Sequence, residues 1–131
     1  MKIINTKTHG VLDYVVALLL IAAPWIFGFY AGGPETWVPV VLGALTIVYS
    51  LCTDYERGLF RVLSMRVHLL LDLANGFFLA FSPWIFGFSE TVWAPHVVFG
   101  VMEMIVVALS ASVSGSELPK QRGREGLRAV H

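Results

Sequence analysis

An all-α membrane fold is what this sequence predicts: an integral four-helix bundle made of two hairpins that repeat in parallel. Three observations carry that expectation. Of the 131 residues, 56% are hydrophobic and only 14% are charged, where a soluble domain carries about 25% charged residues. The apolar residues gather into four long runs. The basic residues are confined to segments that alternate with two loops whose only charges are acidic. The same composition excludes a disordered chain and a basic face for nucleic acid, and the single cysteine excludes an internal disulfide framework.

A helix needs roughly 20 apolar residues, rising about 1.5 Å each, to cross a ~30 Å hydrocarbon layer. Residues 11–30 form the first run, broken only by Asp13. Residues 37–52 form a second, shorter and uncharged. Residues 67–88 form a third, with His68, Asp72 and Asn75 inside it, and residues 92–113 a fourth, with His96 and Glu103. Helices of a soluble bundle would each show a polar face, whereas the first and third runs are apolar nearly all round. Between the second and third runs, Leu59, Phe60, Val62, Leu63 and Met65 are spaced for a short helix lying at the membrane interface.

Charge sets the orientation. Lys2 and Lys7 precede the first run; Arg57, Arg61 and Arg66 lie between the second and third; Lys120, Arg122, Arg124 and Arg128 follow the fourth. The loops 31–36 and 89–91 hold Glu35 and Glu90 and no basic residue. The positive-inside rule then puts both termini and the central connector in the cytoplasm. The organisation expected is a cytoplasmic segment 1–8, a first two-helix repeat 9–52, a cytoplasmic interfacial connector 53–66, a second repeat 67–113 and a mobile cytoplasmic tail 114–131. The first run follows two lysines as a signal peptide would, but it is long, contains Asp13 and recurs in mid-chain, so it reads as a retained span.

The recurrence aligns by eye. HGVLD at 9–13 matches HLLLD at 68–72, and PWIFGF at 24–29 matches PWIFGF at 83–88, both at an offset of 59. Each copy crosses twice, so both copies share one orientation, related by a pseudo-two-fold along the membrane normal. The segment Ser82, Pro83, Trp84 resembles the signature of the SPW repeat family of small bacterial membrane proteins, which carry it in the first helix of each two-helix repeat. The first copy departs from it with Ala23 before Pro24 and Trp25. The resemblance covers residues 9–112 and implies a bacterial inner (cytoplasmic) membrane location without implying an activity.

Pro24 and Pro83 withhold a backbone donor from the carbonyls of Leu20 and Leu79 and favour a kink. Ser82 can bond to the loosened turn and Ala23 cannot. Trp25 and Trp84 fall at the depth where indoles form interfacial belts, and Gly28 and Gly87 suit the helix ends.

His9 and Asp13 are four residues apart, about 40° round a helix, and share a face. His68 and Asp72 repeat that geometry at the same cytoplasmic depth. The bland reading pairs each carboxylate with the histidine of its own helix, or with Arg57, Arg61 or Arg66. The sharper readings bring the pairs together across the pseudo-two-fold as a divalent-metal site, as axial ligands of a haem b, or as a proton path. Glu103 lies near the midplane at the depth of Asn75, where a neutral hydrogen-bonded acid is favoured over a charge. It is expected to face Asn75, with Asp72 one turn away, either as a bond between helices or as a proton or ion handler. Thr46 is its approximate counterpart in the first repeat. His96 lies near the outer surface, with Ser82 or Ser89 as its expected partner.

The functional expectation ranks first a non-enzymatic accessory, scaffold or assembly protein with no cofactor. Its partners would be the lipid bilayer, a second copy of itself as a homo-oligomer or another membrane protein, but no nucleic acid. A metal- or haem-binding protein using His9, Asp13, His68 and Asp72 ranks second. A small proton-coupled transporter using Glu103, Asn75 and Asp72 ranks third.

Overall fold

The computed structural model describes residues 4–54 and 58–110. Three helices come first in chain order: α1 (Thr6–Ile26), α2 (Pro34–Leu51) and α3 (Met65–Ile85). A shorter apolar helix, α4 (Ala94–Ser110), follows. The described residues form no strand beyond one isolated bridge between Thr53 and Leu63. The fold is all-α, and α1, α2 and α3 are each long and apolar enough to cross a membrane.

The helix starts are set by side chains the repeat preserves. Asn5 accepts a hydrogen bond from the Thr8 amide at 2.8 Å, and Ser64, 59 positions later, accepts one from the Val67 amide at 3.3 Å. Both helices thus begin a few residues before the apolar runs do. Their ends are duplicated too. Gly28 and Gly87 take φ of 71° and 73°, a conformation that costs glycine little. That lets the amides of Phe29 and Phe88 reach back to Pro24 O and Pro83 O at 2.9 and 2.8 Å, closing the carbonyls at the helix end.

Which residues face inward shows what solvent the fold is built for. His9, Thr36, Ser50, Thr53, His68 and Ser82 are fully buried, while Leu18, Val48, Leu70, Phe81 and Val98 are each more than half exposed. Water would penalise so much exposed apolar surface; lipid does not, and in lipid the association of helices falls to small residues and interhelical hydrogen bonds. The apolar core is correspondingly small: Leu20, Val38, Leu42 and Leu79, flanked by Val16 and Phe99.

Two glycines let neighbouring backbones approach closely. A Cβ on Gly43 of α2 would lie 2.7 Å from Ala17 O of α1, and one on Gly100 of α4 would lie 2.5 Å from Gly76 O of α3. Ala17 and Gly76 are repeat equivalents at the offset of 59. Each hairpin is therefore closed by the same near-contact of backbones.

Pro83 leaves the Leu79 carbonyl without its helical amide, and Ser82 Oγ donates to that oxygen at 2.7 Å. Ser82→Ala is expected to cost about 1 kcal/mol, the loss of one buried hydrogen bond, and Ala23→Ser to cost nothing or stabilise. Thermal unfolding of the detergent-solubilised variants checks this, and equal stability for Ser82→Ala and the parent chain would contradict it.

The connector corrects the expectation of an interfacial helix. Residues 58–64 are not helical. The amides of Leu59 and Phe60 return to Leu51 O at 2.8 and 2.9 Å, and those of Val62 and Leu63 to Cys52 O at 2.8 and 2.7 Å. The end of α2 thus supplies the acceptors that a new helix would have had to provide for itself. Gly58 is held so close that a Cβ there would overlap Thr53 O at 1.8 Å. Arg57, the basic residues of the tail and Lys2 lie outside the described residues.

Candidate functional site

His9 and Asp13 sit in the first turns of α1, and His68 and Asp72 occupy the same places in α3. All four are buried, both histidines completely. Their short contacts cross between the repeats. His9 Nε2 is 2.8 Å from Asp72 Oδ2, and His68 Nε2 is 2.6 Å from Asp13 Oδ2. The contacts within each helix are longer, 3.2 Å from His9 to Asp13 and 3.1 Å from His68 to Asp72. The imidazoles meet edge to face with centroids 5.4 Å apart. Among the described residues, Arg61 reaches Asp54 rather than the centre, at 4.0 Å, where both side chains are exposed.

The other nitrogen of each ring is held by a hydroxyl. His9 Nδ1 is 2.7 Å from Ser110 Oγ at the end of α4, and His68 Nδ1 is 2.8 Å from Thr53 Oγ1 just beyond α2. Each hydroxyl gives its own proton to a backbone carbonyl, Ser110 to Val106 O at 2.7 Å and Thr53 to Tyr49 O at 2.6 Å. Each hydroxyl can therefore only accept from the ring, so Nδ1 carries the proton and Nε2 is the atom turned to the carboxylates. All four helices contribute, and Thr53 also ties the connector to the centre through its bridge to Leu63.

Asp72 anchors a second branch. Its Oδ1 accepts from Tyr49 OH at 2.6 Å, and Tyr49 OH lies 3.1 Å from Thr46 Oγ1. The Asn75 amide donates to Thr46 Oγ1 and to Glu103 Oε2, both at 3.2 Å. Glu103 thus meets Asn75 as expected, and Thr46, expected only as its counterpart, belongs to the same branch.

A family model for the SPW repeat domain matches residues 7–111 of this chain. The chain belongs to the SPW repeat family. No curated protein and no solved structure matches it. The SPW motif itself lies apart from the centre, at the opposite ends of α1 and α3. Pro24 and Pro83 are buried there, while Trp25 and Trp84 are more than half exposed on the outside of the bundle, as a belt of interfacial indoles requires. In this SPW protein the motif shapes helix ends and the chemistry-bearing side chains gather at the other side.

His96 corrects the expectation of a serine partner. Its Nε2 is 2.9 Å from Glu35 O. Pro39 lies four residues beyond Glu35 in α2 and has no N–H to give that carbonyl, and the ring supplies the donor instead. Its buried Nδ1 has no hydrogen-bond partner among the described residues, and the ring lies near those of Phe29 and Phe88 at centroid distances of 5.1 and 4.9 Å.

Sequence reasoning also missed Tyr49, Thr53 and Ser110. One signal was available: Gly43, Thr46 and Thr53 stand 57 positions before Gly100, Glu103 and Ser110, so the second helix of each repeat carries its hydroxyl in register.

Proposed function

We propose that this small membrane protein of the SPW family holds one divalent transition-metal ion between its two repeats, with His9, Asp13, His68 and Asp72 as ligands. The crossed centre carries the reading. Two imidazole nitrogens and two carboxylates lie within 4.8 Å of one another, a donor set that suits zinc, iron or manganese. Each imidazole donates at Nδ1 to an oxygen that fixes its orientation, the support that metal-binding histidines usually have.

Charge supports the same reading. Two buried carboxylates must be neutralised in an apolar surround. Two protons or one divalent cation supply the same charge, so the ion replaces protons without disturbing the balance. Donors around a tetrahedral ion at about 2.0–2.2 Å stand about 3.4 Å apart. The adjacent separations of 2.6, 2.8, 3.1 and 3.2 Å need to open by less than about 1 Å, and the widest, up to 4.8 Å, to close by about 1.4 Å. A haem does not fit: ligands of that size take pockets of about 300–1,000 Å³, and the cavity beside the centre has about 20 Å³.

The separations of 2.6 and 2.8 Å also support a second reading, in which protons take the cation's place. The centre is then a clasp between repeats, and the protein is the non-enzymatic accessory or scaffold that the sequence favours. Titration of Zn²⁺ into metal-free purified protein separates the two. The metal reading expects one ion per chain and about two protons released, measured by calorimetry in buffers of different ionisation enthalpy. Folded protein that takes up no Zn²⁺ leaves only the clasp.

The orientation proposed places the centre at the cytoplasmic side of a bacterial inner membrane, with both termini inside. In a chain with Cys52 replaced by serine, cysteines at Ala31 and Glu90 should react with an impermeant maleimide added to intact cells. One at Leu59 should not, and its labelling would reverse the topology.

A further inference from the structure

A cavity opens on the centre beside Glu103. His9, Asp13, Asp72, Thr46 and Glu103 line it beside the apolar side chains of Val16 and Val106, and about 20 Å³ of it admits the centre of a water molecule. That is room for one water, in a mostly apolar wall whose polar groups come from Asp13, Asp72, Thr46 and Glu103. His68 is absent from the lining, as is the hydroxyl pair Thr53 and Ser110. Glu103 has only Thr46 as its counterpart in the first repeat, so the repeat symmetry that builds the centre is broken at this cavity. One Glu103 oxygen accepts from Asn75. The acid is not part of the four-residue cluster.

We infer that this cavity is an open coordination position: an ion held by the four ligands carries one small exogenous ligand there, a water molecule or a small anion, with Glu103 as its hydrogen-bonding wall. The inference rests on the metal-binding reading. Four protein donors satisfy a tetrahedral ion, so the added ligand makes it five-coordinate, an expansion that zinc-type sites undergo where the surround leaves room. A centre that only joined two equivalent repeats would need no extra acid in a cavity beside three of its four ligands.

Cobalt(II) and azide test it. The metal-free protein is loaded with Co²⁺, and its visible absorption is followed as azide is added. A saturable new azide-to-cobalt band is expected, with the ligand-field bands weakening as coordination rises. Val106→Phe, or the milder Val16→Leu, fills the cavity without touching a ligand and should keep one Co²⁺ per chain while losing the azide response. Glu103→Gln exchanges an acid oxygen for an amide donor beside the anion and should tighten azide by roughly tenfold, the worth of one hydrogen bond. A wild-type spectrum that shows bound cobalt and ignores azide overturns the open position and leaves the metal site standing. Unchanged azide affinity in Glu103→Gln removes the acid from it. No cobalt uptake by the wild type overturns both readings.

Discussion

His68→Ala is expected to abolish metal uptake and to destabilise the solubilised protein by about 3–5 kcal/mol, the cost of leaving a buried charge without its partner. The imidazole is fully buried and makes the shortest contact of the centre, 2.6 Å to Asp13. Its loss leaves Asp13 with only the 3.2 Å contact to His9 and leaves Thr53 without the ring it holds. Replacing both partners, His68→Leu with Asp13→Leu, removes the charge along with its mate. The double variant should therefore be more stable than His68→Ala alone, while still binding no metal. Chemical or thermal unfolding of the three proteins in one detergent decides it. A double variant no more stable than His68→Ala would show that the two side chains do not act as a charged pair.

The second large effect is expected at Gly100. A Cβ there would meet Gly76 O at 2.5 Å, Ala80 N at 2.7 Å and Ala80 Cβ at 2.8 Å, and two of those three atoms are backbone that cannot rotate away. Gly100→Ala should cost about 3 kcal/mol, at the upper end for overpacking, and Gly100→Val more. Separation of α3 from α4 would also stretch the Asn75 to Glu103 bond and draw Ser110 from His9. Metal affinity should then fall in Gly100→Ala although no ligand has changed. Gly28→Ala is the comparison. Nothing lies within 4 Å of its Cβ, so it meets only the strain of a left-handed backbone, about 1–2 kcal/mol. Equal losses at the two glycines would mean that the helices can part without penalty.

The fold was legible because lipid imposes simple rules. Apolar runs of spanning length, basic residues on one side and a duplicated motif define helices and hairpins without any knowledge of packing. The centre was half legible. The spacing of His9 to Asp13 and of His68 to Asp72 puts each pair on one face, and duplication brings the faces together. That the short contacts cross between repeats follows from how α1 and α3 approach, which no spacing within one helix reveals. The hydroxyls of Thr53 and Ser110 were hidden for a related reason. Each sits at the end of a partner helix, where serine and threonine are commonplace. The connector misled because its apolar residues fit helical spacing, whereas the carbonyls of Leu51 and Cys52 decide its path. His96 has serines at its depth, Ser82 and Ser89, yet bonds neither of their hydroxyls. Its partner is the Glu35 backbone oxygen, stranded by Pro39 four residues on, and a proline marks such an oxygen in the sequence.

The crossing of the centre has a consequence for biosynthesis. The first hairpin enters the bilayer carrying Asp13, whose best partner lies 55 residues further along the chain. At about 5–20 residues per second, the ribosome needs roughly 3–11 s to make that stretch. During that interval the first hairpin is an unfinished half, with an acid in the membrane answered only by His9 of its own helix. Asp72, by contrast, is inserted when His9 is already waiting. The two halves of a symmetric molecule are therefore not equivalent in time, and the newly made first hairpin is the stage at which an insertion chaperone or a second nascent chain would find an acid still seeking its base.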